Sequence, residues 1–267
     1  MVQGSRFINA AIWGLCLASS ARADPPPPPQ DHNWQVVEAL SDDFSHYNAT
    51  KWRIGHPYWD GRPPSVFHAD NAHFGHGLEI KTTIHHHDVT QKDWLYTACV
   101  SSNTPAFHEG MYAEARLKAA DLAVTSAFWM QGKYSEIDVA ENWGQVKNNS
   151  MDNLTRSMMV TTHYFAKGWD HDLMDNIRIE NPNHGRNADD YHIYGVWFKD
   201  SKTIILYLDG QVVARMTPKG AFNEPMYMFF DVEPQSWGPG LPVPDDITDA
   251  HNTTSYSYVK TWVLTQN

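Results

Sequence analysis

Three carboxylates lie within six residues of one another near the middle of the chain, in the segment Glu-Ile-Asp-Val-Ala-Glu at 136–141. Side chains alternate between the two faces of a β-strand, so Glu136 and Asp138 point to the same side. Glu141 would face the opposite side unless one extra residue, a β-bulge at Val139 or Ala140, returns it. The spacing therefore predicts a bulged strand that presents three acids on one face.

Acids held this close repel one another, and the repulsion raises at least one pKa. A strand with a purely structural role gains nothing from this repulsion between carboxylates, whereas cleavage of a glycosidic bond requires a carboxyl with a raised pKa. A retaining enzyme uses one ionised carboxyl for attack and one protonated carboxyl about 5–5.5 Å away to release the leaving oxygen. The segment predicts such a site, and three solvated surface acids are the alternative interpretation.

The elements that must position these acids are strands. Short runs with β-branched and aromatic residues occur at 78–82, 111–117 and 204–208. Asp209-Gly210 separates the last run from the segment 211–214, which is a hairpin signal. No long amphipathic helix is evident, and only 245–250 predicts a short helical turn. The pattern favours an all-β sandwich of two antiparallel sheets.

Aromatic residues are abundant, with eleven Trp and twelve Tyr. We expect more than half of them to fill the core of the sandwich. Trp59, Trp129, Trp143 and Trp237 differ because they lie close in sequence to polar or acidic clusters. Rigid rings beside carboxylates suit a sugar-binding cleft, where pyranose C–H faces pack on the rings.

The first residues are typical of an export signal. Arg6 precedes an apolar run at 8–17, and Ala-Arg-Ala at 21–23 matches a cleavage site. Trp13 fits a lipobox poorly, so simple export is preferred to a lipid anchor. We predict a signal peptide at 1–23, a stiff proline-rich linker at 24–33 and a catalytic domain at 34–267, with secretion or export to the periplasm.

The overall charge restricts the partners of the exported protein. The full chain has a formal charge of −11, and loss of two arginines with the signal takes it to −13. Such an acidic body disfavours nucleic acid and anionic lipid, and no later apolar run is long enough to span a membrane. Loss of Cys16 leaves Cys99 alone, so no internal disulfide is expected. We expect a monomer.

Several segments together resemble glycoside hydrolase family 16, in its β-agarase and β-porphyranase branch. The similar segments span about residues 36–264 and comprise 59–67, 128–130, 136–141, 191–197, 207–210, 229–233 and 240–242. The resemblance implies a β-jelly-roll with an open concave cleft. It also implies retaining endo-hydrolysis of β-1,4 linkages in red-algal galactans, either agarose or porphyran.

The resemblance also implies roles for individual residues. Glu136 matches the nucleophile, Glu141 the general acid/base, and Asp138 the residue that orients the nucleophile. The matching substrate-binding residues are Trp59, Arg62, Trp129, His163, Glu233 and Trp237. The alternatives are a buried core histidine for His163, a loop salt bridge for Arg62 and a packed ring for Trp237. We expect like charge from Glu136 and Asp138 to raise the pKa of Glu141.

No cofactor and no catalytic metal are predicted. Many family members bind a structural calcium ion through an Asp in the final strand, but Ser257 stands at that position. A neutral hydroxyl is a poor ligand for Ca²⁺, which weakens that expectation. The His85-His86-His87 run is predicted to be a solvated loop, because adjacent side chains diverge and no further ligands complete a site.

Two rival functions remain at this stage. One is a β-1,3-glucanase of the laminarinase type on the same fold, although the segment 131–135 lacks the pattern that laminarinases carry before the acids. The other is a non-catalytic carbohydrate-binding jelly-roll, which would be expected to lose at least one acid. A sulfated substrate would need a cation in the cleft, and the candidates are Arg62, Lys133, Arg156 and Lys167.

Overall fold

Two large antiparallel sheets stack face to face in the computed structural model, which describes residues 24–181 and 185–267. The predicted signal peptide at 1–23 lies outside the described residues. The first half of the chain forms β1 (His32–Val36), β2 (Trp52–Ile54), β3 (Ser65–Phe67), β4 (Ala72–Phe74), β5 (Leu78–Lys81), β6 (Thr83–His87), β7 (Lys92–Thr97), β8 (Cys99–Ser102), β9 (Met111–Lys118) and β10 (Thr125–Gln131). The second half forms β11 (Ser135–Asn142), β12 (Ser157–Tyr164), β13 (Asp175–Glu180), β14 (His192–Asp200), β15 (Thr203–Leu208), β16 (Gln211–Met216), β17 (Tyr227–Glu233) and β18 (Thr253–Gln266).

The predicted all-β sandwich is confirmed. The outer sheet has the order β16-β15-β14-β9-β18-β5-β4, with β1 also paired to β18, and the inner sheet has the order β13-β12-β11-β10-β17-β8-β2. A small third sheet, β3-β7-β6, lies beside them. Short 3-10 helices occupy Glu38–Leu40, Ala69–Asn71, Asn149–Arg156, Trp169–His171 and Pro244–Asp246. No helix in the described part of the chain is both long and apolar enough to cross a bilayer.

Side chains of β17 alternate between the core and the cleft. Met228, Phe230 and Val232 belong to the core between the two sheets. The intervening residues, among them Asp231 and Glu233, line the concave face of the inner sheet. The hydrophobic core thus fixes the position of the strand that carries one wall of the cleft.

A second apolar cluster covers the outer face of the outer sheet. It contains Tyr112, Trp197 and Trp262, against which Trp34 packs. The Trp34 indole N–H donates to the carbonyl oxygen of Pro26 at 2.6 Å, and β1 begins at His32, inside the predicted linker. The proline run is therefore in contact with the domain at Pro26.

The histidine run departs from the prediction of a loop, because His85, His86 and His87 lie on β6. Register with β7 explains this, since the three pair with Trp94, Asp93 and Lys92. Their ring nitrogens contact three separate partners, Thr83, Asp93 and Thr90. They do not converge on a common ligand position.

The core contact of Phe230 generates a stability prediction. Its ring stacks on Phe128 with centroids 5.4 Å apart, and it also contacts Phe44 and Trp52. Phe230→Ala should lower the free energy of unfolding by about 3–5 kcal/mol, because it leaves a cavity in a close-packed core. Urea denaturation measures the loss. Val89→Ala, at a position 88% exposed, is the control and should change it by less than about 0.5 kcal/mol.

Candidate active site

The predicted bulge is present between β10 and β11. Trp129 pairs with Asp138 and Phe128 pairs with Ala140, so Val139 is the extra residue. Beyond the bulge, Glu141 pairs with Ala127, a small residue on the concave face. The bulge therefore brings Glu136, Asp138 and Glu141 into one cleft, as the spacing predicts.

The cleft has a volume of about 1160 Å³ and runs across the inner sheet. Its floor is the face of the sheet that bears the acids, and aromatic rings form much of its walls. The lining includes His56, Tyr58, Trp59, Arg62, Trp129, Gln131, Lys133, Glu136, Asp138, Glu141, His163, Trp169, Asp172, Glu224, Tyr227, Asp231 and Glu233. The lining thus combines a carboxylate-rich floor with flat apolar surfaces.

His163 lies directly opposite Glu136 in the pairing of β11 with β12. Its Nε2 is 3.4 Å from Asp138 Oδ2 and 4.0 Å from Glu136 Oε1, while its Nδ1 is 2.5 Å from Asp172 Oδ2. Burial lowers the pKa of His163, but the neighbouring carboxylates outweigh burial and raise it to about 10. The raised pKa favours the imidazolium form of His163, which lines the cleft, whereas the alternative was a buried, hydrogen-bonded core histidine.

The pKa of each acid of the triplet is raised, and burial is the largest cause in all three cases. For Glu141, burial followed by the charges of Asp138 and Glu233 raises the pKa to about 8. The pKa of Glu141 is raised as expected and Asp138 contributes, but removal from water contributes more. The pKa of Glu136 also rises through burial and Asp138, against the opposing effects of His163 and Gln131.

The predicted residues of the opposite wall come together around one ion pair. Arg62 Nε donates to Glu233 Oε2 at 2.9 Å, and the guanidinium lies 5.7 Å from the centroid of the Trp59 ring. Burial raises the pKa of Glu233 to about 7, although Arg62 opposes the rise. Arg62 does form a salt bridge, as the alternative interpretation expected. Both of its members, Arg62 and Glu233, also line the cleft.

The other two predicted tryptophans, Trp129 and Trp237, have different positions. Trp129 lines the cleft floor, and its ring stacks on Phe229 with centroids 4.2 Å apart. Trp237 follows β17 in a loop, is 61% exposed and is not among the residues that line the cleft. Substrate contact by Trp237 remains a prediction, and the fold does not place this side chain in the cleft lining.

Sequence reasoning missed several residues that lie at or beside the acid triplet. The Gln131 amide donates to Glu136 Oε2 at 2.5 Å, and the Gln235 amide donates to Glu141 Oε1 at 3.2 Å. Asp231 is buried, and burial followed by the charge of Glu233 raises its pKa. Only Asp231 had a signal in the sequence, because it lies two residues before Glu233 in the segment 229–233 that carries the family resemblance.

A catalytic metal was not predicted, although Glu136, Asp138 and His163 offer atoms within 4.8 Å of one another. Both ring nitrogens of His163 face carboxylates, and its raised pKa favours a cation there. This arrangement favours an ion-pair cluster over a set of metal ligands. At Ser257, where the resemblance places a calcium-binding Asp in other family members, the hydroxyl accepts from Arg116 at 3.3 Å.

Comparison with known proteins gives consistent matches over the same region. The sequence profile of the glycoside hydrolase family 16 domain of β-porphyranases A to D matches residues 34–264. β-Porphyranase E of Zobellia galactanivorans is 32% identical over 262 residues, covering 88% of this chain and 90% of the relative. β-Porphyranase B of the same organism is 30% identical over 263 residues, covering 90% and 88%. The crystal structure of a β-porphyranase from the human gut bacterium Bacteroides plebeius has a TM-score of 0.78 at 26% identity, covering 90% of this chain and 95% of that one.

The raised pKa of Glu141 generates a prediction for stability against pH. Its folded value of about 8 exceeds the unfolded value of about 4.3, so its contribution is full at low pH and is lost as pH rises through 8. Between pH 5 and pH 8, the free energy of unfolding of the wild type should therefore fall relative to Glu141→Gln by on the order of 3–4 kcal/mol. Urea titrations at both pH values measure this. Parallel behaviour of the two proteins would contradict it, whereas parallel behaviour is expected for the exposed control Glu79→Gln.

Proposed function

The chain belongs to the porphyranase domain family of glycoside hydrolase family 16, and on this premise we propose that it cleaves β-1,4 bonds inside red-algal galactan chains with retention. The observation that carries the proposal is the bulge at Val139, which places Glu136 and Glu141 in one cleft. A strand without the bulge would point Glu141 towards the interior between the sheets. The intact acid triplet also disfavours a binding-only protein.

In the first half of the proposed reaction, Glu136 attacks the anomeric carbon as a carboxylate, and the bond to the leaving oxygen breaks. Glu141 gives its proton to that oxygen, which a pKa of about 8 makes available at neutral pH. In the second half, Glu141 takes a proton from water, and the resulting hydroxide displaces Glu136 from the sugar. The proton is thus returned to Glu141 in each cycle.

His163 supports the ionised form of Glu136 in this scheme, whereas the charge of Asp138 opposes it. Two adjacent buried carboxyls do not both ionise readily. The His163 imidazolium lies 3.4 Å from Asp138 and 4.0 Å from Glu136, and its positive charge compensates both acids.

The substrate proposal rests on the shape and charge of the cleft together with the family. An open cleft accommodates the middle of a chain, which agrees with endo-cleavage, and the rings of Trp59, Trp129 and Trp169 offer apolar surfaces for sugars. Of the four cations proposed for a sulfate group, Arg62 and Lys133 line the cleft, whereas the other two do not. We propose porphyran as the preferred substrate, with agarose as the second candidate. Action on an extracellular polymer agrees with the proposed export.

Reducing-end release from porphyran, agarose, carrageenan and laminarin, measured side by side, tests the proposal. We expect release from porphyran above agarose and little from the other two. Release mainly from laminarin would favour the β-1,3-glucanase alternative, and no release with retained binding would favour a binding module. NMR of the first products should show the β-anomer, whereas initial α-anomer would contradict retention.

The assignment of the nucleophile has its own test. Glu136→Gln should lower the rate of release by at least about 10³-fold, because the neutral amide cannot attack the anomeric carbon. Glu79→Gln makes the same chemical change at an exposed position of β5 and should leave the rate unchanged. Circular dichroism would verify that both variants are folded. A Glu136→Gln variant with wild-type rate would show that another group attacks.

A further inference from the structure

Gln131 is placed beside the proposed nucleophile by backbone pairing. It is the last residue of β10, and it pairs with Glu136 on one side and with Tyr227 on the other. Its side-chain amide donates to Glu136 Oε2 at 2.5 Å. An amide N–H bonded to a carboxyl oxygen favours the carboxylate over the acid, and one fixed oxygen also fixes the plane of the carboxyl group.

His56 lies behind Gln131 in a sandwich of aromatic rings. Its ring stacks on Phe229 with centroids 4.7 Å apart and on Trp129 with centroids 5.8 Å apart. Burial lowers the pKa of His56 to about 4, so the ring is neutral. Its Nδ1 accepts from the backbone N–H of Tyr58 at 3.1 Å, which leaves the single ring proton on Nε2.

The tautomer of His56 bears on the orientation of the Gln131 amide. Nε2 of His56 is buried and has no hydrogen-bond partner within the described part of the chain, and Gln131 is the side chain that raises the pKa of this ring against the effect of burial. A donor on Nε2 requires the carbonyl oxygen of the amide on its side. The NH₂ group is then directed to Glu136. In the reversed amide, the NH₂ group would face the Nε2–H donor and the amide oxygen would face the Glu136 carboxyl oxygen, so neither pair could form a hydrogen bond.

We propose that Gln131, oriented by His56, is a positioning residue that holds Glu136 as an oriented carboxylate for attack. This inference rests on the proposed function of Glu136. The other groups that face Glu136 are Asp138 and Glu141 on its own strand and the His163 imidazolium on β12, with Asp172 behind it. Burial and the two acids oppose ionisation, so the Gln131 amide and His163 are the groups that favour it.

The pH profile of kcat/KM tests the proposal with Gln131→Met, which keeps the length of the side chain but removes the donor. The pKa of Glu136 should rise, and the acidic limb of the profile should move up by about one pH unit. At pH values below that limb, the activity of Gln131→Met should be about tenfold lower than that of the wild type, while KM changes little. An acidic limb that stays in place would overturn the proposal.

His56→Phe retains the stacked ring but removes Nε2–H, and it should move the acidic limb in the same direction by a smaller amount. Because His56 is proposed to act through Gln131, the double variant should shift no further than Gln131→Met alone. Additive shifts would overturn the role of His56. Gln235→Met removes the amide from Glu141 and should leave the acidic limb in place.

A measurement without turnover separates this proposal from the proposed function. Carboxyl ¹³C NMR of protein labelled at glutamate, with the Glu136 signal assigned by its loss in Glu136→Gln, follows the titration of this group directly. The Glu136 midpoint should lie higher in Gln131→Met than in the wild type. This result can be obtained even if none of the galactans is hydrolysed, and equal midpoints would overturn the proposal by themselves.

Discussion

The single extra residue at Val139 is the constraint on which the site depends. Antiparallel pairing holds β11 between β10 and β12, so its side chains have only two directions available. Pairing on both sides of the bulge is retained, with Asp138 opposite Trp129 and Ala140 opposite Phe128. The change of face therefore occurs at one residue, and rigid strands hold the acids before and after it. Sites built on such elements are more precise than sites built on loops.

The acids of the cleft are balanced by two cations at opposite ends of the catalytic triplet. His163 contacts Asp138 and lies near Glu136, whereas Arg62 binds Glu233 on the side where Glu141 lies. Burial raises the pKa of both catalytic glutamates, so it cannot by itself give them different roles. Their neighbours differ, because Glu136 lies near His163 and accepts from the Gln131 amide, whereas Glu141 accepts from the Gln235 amide on the side of Glu233. The charge of Asp138 raises the pKa of both glutamates.

The hydrophobic core and the cleft are coupled through shared strands. Phe230 packs in the core between the sheets, while its neighbours Phe229 and Asp231 belong to the cleft side. Phe229 in turn supports the rings of Trp129 and His56. A displacement of β17 would therefore disturb the wall that bears Glu233 and the stack behind Gln131 at the same time. Close packing makes such displacements costly, which keeps the cleft preformed.

Local spacing in the sequence determined the strands, the acid triplet on one face and the need for a bulge, because alternation along a strand is a property of the chain itself. It left open whether Val139 or Ala140 is the extra residue, since only pairing with β10 decides that. The roles of Gln131, His56, Asp172 and Gln235 were decided by the tertiary structure alone. Gln131 and Gln235 reach the acid triplet directly, whereas Asp172 contacts His163 and His56 packs on Trp129. Strand register and loop paths bring these distant segments together, and burial, the largest cause of the raised pKa values, exists only once the sheets have packed.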